Sequence, residues 1–289
     1  LNPSSVTLDS EGNILYVTNL GDFGTPEPNS NEVWTYSVNS GTGVPTLLSK
    51  SRTRGEPASL ALGGGSAAVT YTPKFAYAAN NGSNNVSAYA INASNGHLTA
   101  VSGSPFTAGS SPAWIATDSF GKFAYVANTG STSVSEYTIN SSTGALTPIS
   151  GSPVATPGFP FLVAVDPSGT FAYVGNGSDI SAYTINTTSG ALTLISGSTL
   201  STVEEPTGAV VDPTGQFLYV ISASDDGNSG YLSAFTIDPS TGGLTGVSGS
   251  PFTNGINSPS SVAMDPSGLF AYVTNYNTID DIYSTSSFK

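Results

Sequence analysis

Hydrophobic and polar residues alternate along this chain in short runs that come back in fours. Around the middle of the chain the runs are 161–165, 171–175, 180–185 and 191–196. They are rich in Val, Ile, Tyr, Phe and Thr, and Gly, Pro, Asp, Asn or Ser bounds each one, the pattern of strands joined by tight turns. Between the first and second runs stands Asp-Pro-Ser-Gly (166–169, 265–268) or Asp-Pro-Thr-Gly (212–215). In such a turn the Asp side chain accepts backbone N–H groups, Pro presets its own φ and Gly takes the positive-φ position. Between the third and fourth stands Asn-Ser-Ser-Thr-Gly (140–144) or Asp-Pro-Ser-Thr-Gly (238–242), a second hairpin turn. No stretch sustains a 3.6-residue apolar period, so helix is nearly absent.

The four-run unit repeats. The tyrosine of its second run recurs as Tyr16, Tyr77, Tyr125, Tyr173, Tyr219 and Tyr272, at intervals of 61, 48, 48, 46 and 53 residues. Four antiparallel strands at that period are propeller blades. The chain is therefore predicted to be all-β, a single β-propeller domain of four-stranded antiparallel blades. The blades fall near 3–56, 57–111, 112–159, 160–205, 206–258 and 259–289. The sixth unit has runs at 260–264, 270–275 and 279–284 and no fourth run. Three arrangements follow: a six-bladed ring with a three-stranded last blade, an incomplete seven-bladed ring, or a gap filled by a strand from a neighbouring molecule. An open edge carrying Ile279, Ile282 and Tyr283 is a template for that last kind of assembly.

Tyr16-Val17-Thr18-Asn19 and Tyr272-Val273-Thr274-Asn275 spell the YVTN repeat motif. With the flanking Pro-x-x-Val-Ala-x-Asp-Pro-Ser-Gly, the chain resembles the lactonase-type propellers, the family that includes phosphogluconolactonase-like proteins. The resemblance covers essentially the whole chain. It implies a propeller that is typically seven-bladed, and a lactone hydrolase whose members use His, Arg and Glu around a central pocket. None of those side chains carries across to a position of this sequence.

Composition narrows the function. Charged residues make up 9% of the 289, and the net charge is −13. No Lys or Arg lies between Lys122 and Lys289. A nucleic-acid binder needs a basic face to neutralise phosphates, and a phosphorylated substrate over that stretch would need help from backbone or metal. The apolar runs fall far short of the ~18 residues that span a bilayer. There is no Cys, so disulfides, thiolate zinc sites and a thiol nucleophile are excluded. Scarce Lys with abundant Ser, Thr, Asn and Gly suits a bacterial-type extracellular or cell-surface protein.

The first strand of each blade lines a propeller channel, and here those strands carry no acid, base or His. Ligand-binding candidates therefore fall to the loops between second and third strands: Asp22, Phe23 and Glu32, then Tyr231 and Tyr276. Asp225, Asp226 and Asn228 form an oxygen-rich cluster that would suit Ca²⁺, without the 12-residue loop pattern of a dedicated calcium site. No other cofactor is implied. Asp118, Asp166 and Asp212 read as turn formers, and the lone His97 as an exposed turn residue. Sequons stand at Asn81, Asn85, Asn92, Asn140, Asn176 and Asn186, a number that composition alone accounts for. The bare channel leads to the expectation of a non-catalytic interaction or structural module, binding a protein or glycan partner or polymerising through its last blade. A lactone hydrolase, with Asp225, Asp226 or Glu32 activating water, is the alternative. A carbohydrate or small-ligand binder is the second alternative.

Overall fold

The computed structural model describes residues 2–8, 14–20, 32–38, 45–53, 57–63, 74–224, 229–253, 256, 258–264, 271–275 and 283–285. The chain divides into two compact units, Leu1–Ala155 and Thr156–Lys289. The described residues form six antiparallel sheets, three in each unit. Each sheet is a blade of an all-β propeller, as the repeat predicts.

In the first unit, blade one comprises β1 (Asn2–Leu8), β2 (Ile14–Leu20), β3 (Glu32–Val38) and β4 (Pro45–Arg52). Blade two comprises β5 (Pro57–Gly63), β6 (Phe75–Asn80), β7 (Asn85–Ile91), β8 (Leu98–Ala100) and β9 (Phe106–Thr107). Blade three comprises β10 (Pro112–Thr117), β11 (Phe123–Asn128), β12 (Ser133–Ile139), β13 (Leu146–Pro148) and β14 (Val154–Ala155). In the second unit, blade four comprises β15 (Pro160–Val165), β16 (Phe171–Asn176), β17 (Asp179–Ile185), β18 (Leu192–Leu194) and β19 (Leu200–Ser201). Blade five comprises β20 (Pro206–Val211), β21 (Phe217–Ala223), β22 (Gly230–Ile237) and β23 (Leu244–Gly246); blade six comprises β24 (Pro259–Met264), β25 (Ala271–Asn275) and β26 (Tyr283–Thr285).

Second strands are buried on both faces, which is why they read as unbroken apolar runs. Every residue of β6, β11 and β16 is buried. In the first unit Phe75, Tyr77, Ala79, Val86 and Ala88 of blade two pack against Ala124, Val126, Tyr137 and Ile139 of blade three. The Tyr77 hydroxyl donates to Gly144 O at 3.0 Å, so the tyrosine of one blade clasps the third-to-fourth-strand turn of the next. In the second unit Tyr173 does the same to Gly242 O at 3.2 Å. Innermost strands are joined by side chains. Ser5 Oγ accepts the Leu60 N–H (3.2 Å), Ser59 Oγ accepts the Ile115 N–H (2.8 Å), and Thr7 Oγ1 donates to Leu60 O (2.8 Å).

Fourth strands depart from expectation. The run 191–196 is strand only over Leu192–Leu194, and pairing with β17 resumes at Leu200–Ser201. Between the two pieces Ser198 turns inward, its Oγ accepting the Ala182 N–H and donating to Ala182 O. Ser104, Ser152 and Ser250 likewise accept the N–H of Ala88, Glu136 and Ala234. A hydroxyl thus replaces a ladder partner, and the outer strand breaks there. Among the described fourth strands β4 alone runs for eight residues, with a bulge at Leu48. In blade six the described third strand is Tyr283–Thr285, with Tyr283 opposite Val273, and the start of the predicted run 279–284 lies outside the described residues. Ile279 and Ile282 lie outside the described residues.

Candidate functional site

In blades two to four the turns from second to third strand and the neighbouring connections from fourth strand to first strand share one face. The Asn that closes the second strand organises it. Asn80 Nδ2 donates to Asn85 Oδ1 (2.7 Å) and Ser87 Oγ (2.8 Å). Asn128 Nδ2 donates to Ser135 Oγ (2.9 Å), and its Oδ1 accepts the Gly109 N–H (3.1 Å). Gly109 must be glycine, because a Cβ there would lie 2.6 Å from the Asn128 carboxamide carbon. Asn176 Nδ2 donates to Val174 O and Ser181 Oγ, both at 3.1 Å. Its Oδ1 is buried without a partner. Three residues before the blade's opening proline, where Gly109 serves Asn128, this blade has Pro157, which has no N–H to give.

The connections on this face are tied down by neutral groups and one carboxylate. In the first unit Ser111 N donates to Asn84 Oδ1 (2.8 Å), Ser110 N to Ser131 Oγ (3.2 Å) and Gly130 N to Ser110 O (3.0 Å). In the second unit Gly177 N donates to Phe159 O (3.0 Å), Thr202 N to Ser178 O (2.7 Å) and Ser201 Oγ to Asp179 Oδ1 (2.8 Å). Phe159 and Val203 stand exposed beside them. The described carboxylates at this end of the strands are Glu32 in the first unit and Asp179, Glu204 and Glu205 in the second. Within each unit this face therefore offers amides, hydroxyls and acids, with an apolar contact in the second, a chemistry that suits polyhydroxylated ligands.

Of the residues proposed from sequence, Glu32 opens β3 and its Oε2 accepts the Trp34 indole N–H at 2.8 Å. Tyr231 is half-buried on β22, opposite Ser222. Asp22, Phe23, Tyr276 and the Asp225, Asp226, Asn228 cluster lie outside the described residues. Among the described residues no three His, Asp or Glu side chains come together as metal ligands. Asn92, Asn140 and Asn186 are exposed in turns, and Asn81 and Asn85 half-exposed. Asn176 is corrected: at 4% exposure, with its amide nitrogen engaged, it is no glycan acceptor in the folded chain.

The turn aspartates keep the role read from sequence. Asp118 Oδ1 accepts the N–H groups of Lys122 and Phe123, and Asp166 and Asp212 hold their turns the same way. Burial pushes the Asp118 carboxyl above its ordinary range, partly offset by those backbone N–H groups and by the Lys122 charge. Sequence reasoning missed Glu136. It is buried on β12 directly opposite Tyr125. Blades two, four and five place Ala88, Ala182 and Ala234 at that position, so the signal was a carboxylate where the repeat prescribes a methyl. Desolvation, then the charges of Asp118 and Glu136, raise the Tyr125 hydroxyl far above its usual range.

Three overlapping segments, 2–101, 57–165 and 161–282, match the family described as "Lactonase, 7-bladed beta-propeller". The chain belongs to this family. The match overturns the expectation of a non-catalytic module, since the family is one of lactonases. Solved lactonase-type structures share the fold. The Pseudomonas aeruginosa periplasmic gluconolactonase PpgL superposes with a TM-score of 0.74 at 18% identity, covering 99% of this chain and 84% of that one. A candidate 6-phosphogluconolactonase from Bacteroides uniformis gives 0.74 at 17% identity, covering 94% and 78%. Its counterpart from Bacteroides fragilis gives 0.74 at 20%, covering 94% and 77%. No curated protein matches the chain.

Proposed function

We propose that this lactonase-family chain hydrolyses an uncharged sugar lactone. The family match across residues 2–282 carries the reading. In the reaction a water oxygen bonds to the ring carbonyl carbon, the ring C–O bond breaks, and the departing alkoxide takes a proton to give the hydroxy acid. A carboxylate serves as the base that draws the proton from water. Glu32, Asp179, Glu204 and Glu205 are the described candidates, joined by Asp225 and Asp226 from the sequence.

The bases argue for an uncharged substrate. Lys74 and Lys122 precede second strands, at the opposite end of the sheets. Lys50 lies over the Trp34 ring at 3.8 Å. Arg52 closes the outermost strand, three strands or about 14 Å from the innermost. Among the described residues the one base at this end of the strands is Arg52, on the rim opposite Glu32, so a phosphate group toward the innermost strands would meet acids rather than bases. The test is acid release from gluconolactone and from 6-phosphogluconolactone by the purified chain, after subtracting spontaneous hydrolysis. Turnover of the unphosphorylated lactone is expected. Turnover of neither, with or without divalent metal, refutes the hydrolase reading. Preference for the phosphorylated lactone refutes the substrate class alone.

A further inference from the structure

Blade one differs from its neighbours at its outer edge. In blades two to five the residue opposite the third-strand aromatic (Ala100, Pro148, Leu194, Gly246) is followed by three residues before the inward-turned serine. That detour, Ile149-Ser150-Gly151 in blade three, breaks the rim strand into short pieces. Broken rims give an incoming strand little to pair with. In blade one a single residue, Leu48, separates Leu47 (opposite Tyr36) from Ser49 (opposite Thr35). β4 consequently stays paired to β3 from Pro45 to Arg52, and it is the terminal strand of its sheet.

The edge is also chemically distinct. Leu47 and Leu48 are exposed. Lys50 and Arg52 lie on one face of the ribbon, opposite Trp34 and Glu32. No other described fourth strand carries a charged residue, and the chain as a whole has only six bases against 19 acids. Trp34 replaces the serine of blades two to five (Ser87, Ser135, Ser181, Ser233), which widens the apolar floor beneath Lys50. We propose that β4 accepts an extended acidic segment of another protein as an added strand. Main-chain hydrogen bonds along the edge of β4 that no described strand pairs, up to the Arg52 carbonyl that the Tyr89 hydroxyl already engages, would supply the pairing, and Lys50 and Arg52 the selection for acid. The same two charges disfavour a second basic edge.

A fluorescein-labelled peptide alternating valine with aspartate tests this by polarisation against the full chain, with a lysine-for-aspartate twin as control. The acidic peptide is expected to bind and the lysine twin not to. The double substitution Lys50→Glu, Arg52→Glu is expected to weaken binding about tenfold or more, with the β-rich fold retained by circular dichroism. Replacing Leu48 by the Ile-Ser-Gly detour of blade three copies a rim the protein already folds, and should abolish binding with both bases kept. No binding by the acidic peptide, equal binding by both peptides, or indifference to the detour overturns the proposal. So does a concentration-dependent dimer abolished by the charge reversal, which would make the occupant a second copy.

Discussion

Gly144 sits where blade three's turn meets blade two, and replacing it with alanine separates two costs. Its φ is +75°, a left-handed conformation that costs an L-residue roughly 1–2 kcal/mol. A Cβ there would also press on Phe75, meeting Cδ1 and lying 2.7 Å from Cε1. Phe75 is a buried core residue, so the ring cannot swing away freely; overpacking of this kind costs about 1–3 kcal/mol. Gly151 is the control: its φ is +93°, and nothing lies within 4 Å of an added Cβ. Gly151→Ala should lose the backbone penalty alone, and Gly144→Ala that penalty plus the ring contact. The expected gap is about 1–3 kcal/mol, or roughly 2–5 °C in melting temperature by calorimetry. Adding Phe75→Leu should narrow it by more than the two single effects predict. Equal melting temperatures for the two glycine variants would refute the contact argument.

Two further outcomes follow from buried hydroxyls and acids. Burial pushes the Tyr183 hydroxyl up to about 12 and leaves it without a partner, whereas Tyr173 donates to Gly242 O. Tyr183→Phe should therefore be neutral or stabilising and Tyr173→Phe destabilising by about 1 kcal/mol in urea melts, and the reverse order would sink the assignment. Asp118 has a raised carboxyl pKa in the folded chain, so the stability it contributes is present below the unfolded value near ~3.9 and is lost as pH rises through the folded one. Asp118→Asn keeps an oxygen for Lys122 and Phe123 N–H without that loss. Its stability relative to the parent should climb as pH rises from the unfolded value through the raised folded one, and a flat difference would count against burial as the dominant cause.

The all-β blade pattern was legible in the sequence because second strands are buried on both faces and the turns demand Asp, Pro and Gly. Phe171–Asn176 and Asp179–Ile185 fall within a residue or two of the runs read from alternation. The break in the fourth strands of blades two to five was not legible. It depends on Ser104, Ser152, Ser198 and Ser250 turning inward, and a serine in a turn looks the same whichever way its hydroxyl points. Asn176 was misread for a related reason. Asn-Gly-Ser is a sequon locally, but the same Asn is the buried post that closes a second strand. The site was less legible still, because its described face is built from turn amides and hydroxyls that recur for structural reasons in every blade. Glu136 was readable only by comparing repeats position by position.

The joints between innermost strands lead somewhere else. Ser5 reaches Leu60 and Ser59 reaches Ile115 through one hydroxyl each. A joint of that kind specifies its neighbour only as a strand presenting an N–H at the right height. Nothing in it counts. A gene lineage that copies or drops one unit beside such a joint rewrites no ladder inside the survivors, and blades three to five, with Trp114, Leu162 and Gly208 in the serine's place, show that even the serine is exchangeable. Ring size in such proteins is then inherited as a property of how many modules are strung together, free to drift while each module stays under its own selection.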